Sequence, residues 1–341
     1  MVESRQKTMQ DVADLAQVST ATVSRVINRS GHVSPATEAR VQAALKHLGY
    51  IPNAWAQAMA TDGPLLIGLI VPNMLDPFFS AIYAGMNSVI RKTGIGVWVM
   101  DSANDSNQEQ MAIHMLQRYR AKGIVIAPTQ THMDFAQIEV FSTPICVVDR
   151  RPDHNHWDLV VIDNLNGARR ATQLLIDAGH TQIAIITGPQ TTTPGVERYY
   201  GFMEAMTQAQ LPVVPDYVKF GDFHQNSGYH LGKDLLTLPC PPTAIFSCNN
   251  LMTMGLLQAI HATQGAELGQ TVAVIGFDDI PISTLITPSL TVVSQPVEEM
   301  GKQAAKLLLS RIATPTKKQE TIVLPPELIV RGSETLVGPV L

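Results

Sequence analysis

Only three cysteines occur in 341 residues, Cys146, Cys240 and Cys248, too few for a disulfide framework and without metal-ligand spacing. Long apolar runs are missing too. The longest, residues 65–71, stops at Pro72, far short of a bilayer span. Met1 leads into Glu3, Ser4, Arg5 and Gln6 with no apolar core behind them, so no secretory signal is expected. Charge of one sign is not in excess: the formal net charge of −5 argues against a protein that coats nucleic acid over its whole surface. No G-x-S-x-G elbow, P-loop or G-x-G-x-x-G is present, which removes the usual motifs of an α/β enzyme. With 45% apolar and 16% charged residues the composition is globular, and the length calls for two or three packed units. The expectation is a non-enzymatic, cytoplasmic, bacterial chain with no membrane association, no metal and no cofactor.

What is present is uneven. Residues 1–61 carry six basic and four acidic side chains, a net +2 that leaves −7 for the remainder. A small polyanion-binding head on an acidic body fits that split. Thr8-Met9-Gln10-Asp11 reads as a capping box, opening a short helix with Val12, Ala13, Leu15 and Ala16 as its apolar face. Residues 17–19 make a turn, and Ser19 can cap a second helix over residues 20–28. In it Val23, Val26 and Ile27 face inward, and Thr20, Ala21, Thr22, Ser24, Arg25 and Asn28 face outward. Short polar side chains with one arginine suit entry into a major groove. A third helix begins after Ser34 with Pro35 at its first position, repeats Val41, Ala44, Leu45 and Leu48, and closes at Gly49. On pattern alone, a plain three-helix bundle is the competing reading.

The residues Met9 to Ala13, Val18-Ser19, Thr22 to Asn28, Val33-Ser34 and Tyr50-Ile51-Pro52-Asn53 resemble the head of the lactose-repressor (LacI/GalR) family of transcriptional regulators. The resemblance implies that the second helix reads the major groove, with Thr20 and Ala21 on base edges and Arg25 toward guanine. The other positions it implies for DNA contact are Thr8, Ser19, Thr22, Ser24, Asn28, His32, Ser34, Thr37, Tyr50, Asn53, Ala56 and Met59. Residues 52–60 are alanine-rich and helix-prone but too short to be stable alone. In the family this hinge folds on DNA and wedges a leucine into the minor groove. Met59 stands at that place here, and Gln57 where an arginine is usual. Alternatively, Trp55 and Met59, four residues apart, simply pack on the body.

From Leu65 onward, apolar runs at 65–71, 96–100, 123–127 and 145–148 alternate with helical stretches at 78–92 and 108–122. The rhythm restarts at 159–162 and continues with strands at 183–186, 218–220, 244–247 and 272–275. Alternation of this kind predicts doubly wound parallel sheets, and two series predict two lobes with a ligand cleft at the carboxyl ends of the strands. The expected fold is a small all-α helix-turn-helix head with a two-lobed α/β body like that of periplasmic binding proteins. The expected division is 1–50 for the head, 51–62 for the hinge and 63–341 for effector binding and dimerisation. Asp76-Pro77-Phe78-Phe79, Val161 to Asn164, Gly188-Pro189 with Arg198, Ile275 to Asp278, Ser294-Gln295-Pro296 and Glu327 to Gly332 carry the family resemblance through residue 334.

The resemblance places Arg198, Asn249 and Asp278 on the effector. Asp76 with Phe78 or Phe79 suits a polyhydroxy ring, hydrogen-bonded at its hydroxyls and stacked on its C–H face. Thr192, Phe223 and Gln295 complete the candidates, and Arg150 either lines the cleft or forms an ion pair. The family often has an acidic residue where this chain has Asn250. The uncharged loop at 190–193 disfavours a purine and leaves a sugar, sugar acid or sugar phosphate. The run Asp153-His154-Asn155-His156-Trp157-Asp158 holds potential metal ligands, but a solvated loop is the favoured reading. The implied function is a sequence-specific repressor of carbohydrate-use genes. It would be a homodimer on a pseudo-palindromic operator in double-stranded DNA, on the nucleoid when bound, and released by a small effector. The alternative is a solute-binding protein with no DNA role.

Overall fold

The computed structural model describes residues 7–28, 30–50, 65–131, 143–153, 156–263 and 265–336. The expected hinge with Asn53, Trp55, Ala56, Gln57 and Met59 lies outside these residues, as do His154 and Asn155. The chain falls into two compact units that part near Leu66.

The head is built by its caps. Helix α1 (Met9–Ala16) opens with a reciprocal pair: Asp11 N donates to Thr8 Oγ1 at 3.3 Å and Thr8 N donates to Asp11 Oδ2 at 2.7 Å. It ends at Gln17, whose left-handed φ of 53° turns the chain toward α2 (Thr20–Asn28). Ser19 Oγ accepts from Thr22 N at 3.2 Å, the expected cap. Helix α3 (Pro35–Leu48) is capped by Ser34, whose Oγ accepts from Thr37 N at 3.3 Å, and is closed by left-handed Gly49. Val12, Ala13, Ala16, Val23, Val26, Val41 and Ala44 form the core. Leu15, expected on the apolar face of α1, is instead 49% exposed. At 3.6 residues per turn it sits roughly 100° round the helix from the centre of the face made by Val12, Ala13 and Ala16.

The body begins with β1 (Leu66–Val71), α4 (Pro77–Ile90), β2 (Gly96–Asp101), α5 (Ser106–Arg118), β3 (Gly123–Ile126), β4 (Ile145–Val148) and β5 (Asp158–Ile162). It continues with α6 (Asn164–Asp177), β6 (Ile183–Thr187), α7 (Thr193–Gln208), β7 (Val218–Phe220), α8 (Gln225–Leu236), β8 (Ala244–Ser247), α9 (Asn250–Ala262) and β9 (Ala273–Phe277). Then come β10 (Thr291–Ser294), α10 (Val297–Ala313), β11 (Thr321–Leu324) and β12 (Glu327–Ile329). One sheet runs β11-β5-β4-β3-β1-β2 and the other β12-β10-β9-β8-β6-β7. β12 joins β10 antiparallel, while β6 to β10 pair parallel, as do β1, β3, β4, β5 and β11. Strands buried on both faces explain the continuous apolar runs in β1 and β6.

One expectation is corrected here. The second series does not restart at 159–162: β5 pairs with β4 and β11 in the first sheet. The chain therefore passes between lobes three times, at β5 to α6, at β10 to α10 and at β11 to β12. Asp158, at the start of β5, is buried and takes Arg311 of α10 at both oxygens, at 2.8 and 3.0 Å. It also accepts from Glu320 N at 2.9 Å, tying α10 and the approach to β11 to one carboxylate. Within the first lobe, α4 and α10 meet at glycines: a Cβ on Gly85 would lie 2.0 Å from the Glu298 carbonyl, and one on Gly301 2.1 Å from that of Ile82.

Candidate functional site

The body's cleft is made where the strands end. After β1, Asp76 caps α4, accepting from Phe78 N at 2.9 Å, with Pro77 at the first helical position. That cap turns Phe78 and Phe79 inward in a T-shaped pair 5.0 Å apart. Both rings line the cleft and both belong to the core, so neither is purely one or the other. After β4 come Asp149 and Arg150, and after β9 comes Asp278. Asp149 and Asp278 hold left-handed φ values of 68° and 74°, while their N–H groups still reach Val160 and Val293 on the neighbouring strands. Phe223, beyond β7, is also left-handed, with φ 67°, a genuine outlier for an aromatic residue. Its ring lies so close over Gly188 that a Cβ there would stand 2.0 Å from Phe223 Cζ. Asn249 caps α9 through Met252 N at 3.0 Å and donates to Phe223 O at 3.1 Å.

These residues, with Pro194, Arg198 and Gln295, surround a small cavity of about 40 Å³. Two guanidiniums lie in its wall, both almost fully buried. Arg198 Nε donates to Asn164 Oδ1 at 2.8 Å and Nη1 to Cys248 O at 2.5 Å, and its plane lies 3.6 Å over the Phe277 ring. Its fork is fixed by protein acceptors at Nε and Nη1 before any ligand arrives. Arg150 Nη1 donates to Asn104 Oδ1, Pro128 O and Thr129 O at 3.0, 3.1 and 3.3 Å. Its Nε faces Asp149 Oδ2 at 3.7 Å, and its guanidinium lies 5.8 Å from the Phe223 ring. Arg150 thus lines the cleft and is also an ion-pair partner, and two other loops of the first lobe, after β2 and after β3, hang on it. Thr129 in turn is held by buried Glu109, whose carboxyl is pushed up to about 7 by desolvation against the pull of its bonds to Thr129.

Three carboxylates face these two cations. Burial raises Asp76 and Asp149, with the arginines opposing the rise. Asp278 is pushed up to about 6, again by burial first and with Arg198 opposing. Gln295 Nε2 donates to Asp278 Oδ1 at 2.6 Å and Asn250 N to Oδ2 at 3.4 Å, while Gln295 Oε1 is buried with no donor. If all are ionised, three anions and two cations give the cleft one net negative charge.

Of the ten effector candidates in the sequence, the structure brings nine to this cavity. Thr192 is the exception. It is buried as the cap of α7, donating to Pro189 O at 3.0 Å and accepting from Gly195 N at 3.4 Å. Asp149 and Pro194 were missed. Asp149 directly precedes Arg150 at a strand end, and that position was the available signal. In the head, Ala21, Arg25, His32, Thr8, Ser19 and Ser34 are exposed, and Thr20, Thr22, Ser24, Asn28, Thr37 and Tyr50 are half-buried. Several are engaged locally: Asn28 Nδ2 donates to Ser24 Oγ at 3.2 Å, and Ser19 Oγ meets Thr22 Oγ1 at 3.0 Å. Among the described residues no helix is long and apolar enough to cross a membrane.

Residues 8–53 match the bacterial regulatory proteins of the lacI family, and residues 172–334 match the periplasmic binding protein-like domain. The chain is 37% identical over 328 residues to the ribose operon repressor of Escherichia coli (strain K12), across 96% of this chain and 99% of that one. It is 34% identical over 328 residues to the HTH-type transcriptional repressor PurR of Histophilus somni (strain 129Pt), across 96% and 98%. In structure it is similar to the Lac repressor dimer bound to operator and the anti-inducer ONPF, with a TM-score of 0.83 and 28% identity over 97% of this chain and 100% of that one.

Proposed function

The chain belongs to the LacI family of bacterial regulatory proteins, and from that premise we propose that it is a dimeric operator-binding repressor controlled by a neutral monosaccharide. Helix α2 enters the major groove with Thr20 and Ala21 toward base edges and Arg25 toward guanine. Residues 63–341 carry the effector cleft and the dimer contact, and residues 51–62 the hinge. The repressor works in the cytoplasm, on the nucleoid when bound.

Identity alone does not choose the effector, since repressors with different names match at 37% and 34%. The observation that carries the choice is the excess of carboxylates over guanidiniums in the wall, three against two, with both guanidiniums already partly engaged by protein. Arg150 Nη1 already serves three protein acceptors, and Arg198 serves two. With its carboxylates ionised, the cleft would hold one excess negative charge against an entering phosphate or sugar acid, so the anionic effectors fall away. A neutral polyol gains from the same groups. Its hydroxyls donate to Asp76, Asp149 and Asp278, accept from Arg198, and its C–H face lies on Phe78 or Phe223. The small cavity favours one ring, and the likeness to a ribose operon repressor makes ribose the first sugar to try.

A thermal-shift series tests this. At about 100 times its dissociation constant, a neutral pentose or hexose adds about 2.7 kcal/mol of stability and alters retention of a pseudo-palindromic operator selected from a random pool. A response confined to sugar phosphates or sugar acids overturns the neutral-sugar reading. Failure to retain any duplex supports the solute-binding alternative.

A further inference from the structure

Among the described residues, three hydrogen bonds join the two lobes across the cleft. Asn250 Nδ2 on α9 donates to Asp76 Oδ1 on α4 at 2.8 Å, between two residues that are both buried. At the rim, Arg151 N donates to Thr193 Oγ1 at 2.9 Å and Thr131 N to Thr191 O at 3.0 Å. Of these, the Asn250–Asp76 bond is the one between two side chains, and it is charge-assisted. Its donor is placed with care. Asn250 N donates to Asp278, Asn250 Oδ1 accepts from Leu251 N at 2.5 Å, and only the amide NH2 is left to cross to the other lobe. The acceptor is equally fixed, because Asp76 Oδ1 also accepts from Phe78 N.

We propose that Asn250 and Asp76 form a closure latch, so that this protein sets the balance between open and closed lobes by its own side chains and the effector only adds to it. The latch rests on reading the cleft as the effector site, but its test requires no effector. Only a donor works at position 250. At a pH high enough to ionise both, an aspartate there would face Asp76 carboxylate to carboxylate at hydrogen-bonding distance, and the lobes would part; the transfer measurements are made at that pH. Apparent affinity for any ligand of the closed form scales with the closed fraction, so the latch also tunes sensitivity.

The test is the distance between lobes in the full-length, effector-free protein. Cys240 is exposed and Cys146 and Cys248 are buried, so a donor on Cys240 and an acceptor on Lys92→Cys, an exposed first-lobe site, report closure by energy transfer. Wild type is expected to show high transfer and Asn250→Asp low transfer. Aspartate is well tolerated in the first turn of a helix, and Asn250→Ala, with no like charge, should lie between the two. The decisive variant is the swap Asn250→Asp with Asp76→Asn. The direction of the bond is reversed, an asparagine cap is kept on α4, and transfer should return toward wild type. Low transfer in wild type, no change in Asn250→Asp, or a swap that fails to restore transfer would each overturn the latch. With any sugar that binds, Asn250→Ala should weaken affinity on the order of 10- to 100-fold, as for loss of one bond to a charged group. If no sugar binds wild type, the effector reading fails while the transfer measurements still decide the latch.

Discussion

Replacing Asp278 by asparagine should make the protein more stable near neutral pH while removing most of its effector affinity. Asp278 is pushed from 3.8 up to about 6 because burial penalises its charge more than Arg198 rewards it. A carboxyl raised in the folded state contributes stability that is fully present below its unfolded value of 3.8 and is lost as pH rises through about 6. The shift of about two units corresponds to a loss of up to about 3 kcal/mol across that window. Asparagine keeps the shape and removes the charge. Its new NH2 also finds a waiting acceptor, because Gln295 Oε1 is buried without a donor and a flip of that amide lets it accept from position 278. Urea unfolding by tryptophan fluorescence, at fixed protomer concentration and at about pH 5 and about pH 8, gives the comparison. Glu109 also titrates from a raised value and cancels in the difference, whereas Asp76 and Asp149, which push Asp278 up, are eased when its charge is removed and add to the gain. Asp278→Asn should gain about 1–3 kcal/mol on wild type at the higher pH and little at the lower. It should also bind the sugar on the order of 100-fold more weakly, as for a lost bond to a charged group. A variant less stable than wild type at about pH 8, or a gain independent of pH, would refute the argument that Asp278 is held ionised at a cost.

Three other outcomes follow from the geometry. Asp158→Asn removes the anion that takes Arg311 at both oxygens; because Arg311 is partly exposed, the cost should be about 2–3 kcal/mol in urea unfolding. Gly188→Ala puts a methyl into the Phe223 ring; overpacking of about 1–3 kcal/mol should appear as a lowered Tm, with weakened sugar binding as the ring is driven from the cleft. Arg25→Ala in α2 should cost about 1–3 kcal/mol in operator anisotropy titrations and relax selection at one base pair, with the sugar thermal shift unchanged.

What could be read from the sequence is what is encoded locally. Thr8 with Asp11, Ser19 with Thr22, and Ser34 with Pro35 and Gly49 announce helix ends through contacts within a few residues. The head's helices could therefore be placed closely from sequence. Leu15 was misjudged because an eight-residue helix leaves few positions to define a face. The body's strands were visible as apolar runs, but an apolar run does not say which sheet it joins. Residues 158–162 suit either sheet, and the choice of the first rests on β4, on β11 more than 150 residues later, and on Arg311. β10, β11 and β12 are three or four residues each, too short for alternation to show. The cleft was legible where a residue lies within two positions of a strand's end, as Arg150, Asn249 and Asp278 do. The meeting of Asn250 and Asp76, 174 positions apart, was not, because it depends on how the lobes face each other.

The three passages between lobes would couple a ligand held in the cleft to lobe movement. The first passage follows β5 at Asp163, which caps α6 through Asn166 N and whose own N–H is taken by Leu324 O at the end of β11. The second follows β10 at Gln295 and Pro296, and the third spans Pro325 and Pro326 between β11 and β12. Proline at two of the three fixes φ and removes a donor, so rotation is confined to few bonds. Gln295 belongs to the second passage and to the cleft at once, because its amide donates to Asp278. A hydroxyl that competes for Asp278 therefore pulls on a residue of the crossing itself. The same carboxylate receives Asn250 N, one residue's backbone away from the bond to Asp76. Charge at Asp278 thus acts on the crossing and on the lobe-to-lobe bond together. A ligand held at Asp278 would need to reach no distant hinge to change the angle between lobes, because Asp278 is already bonded to Gln295 of the second crossing.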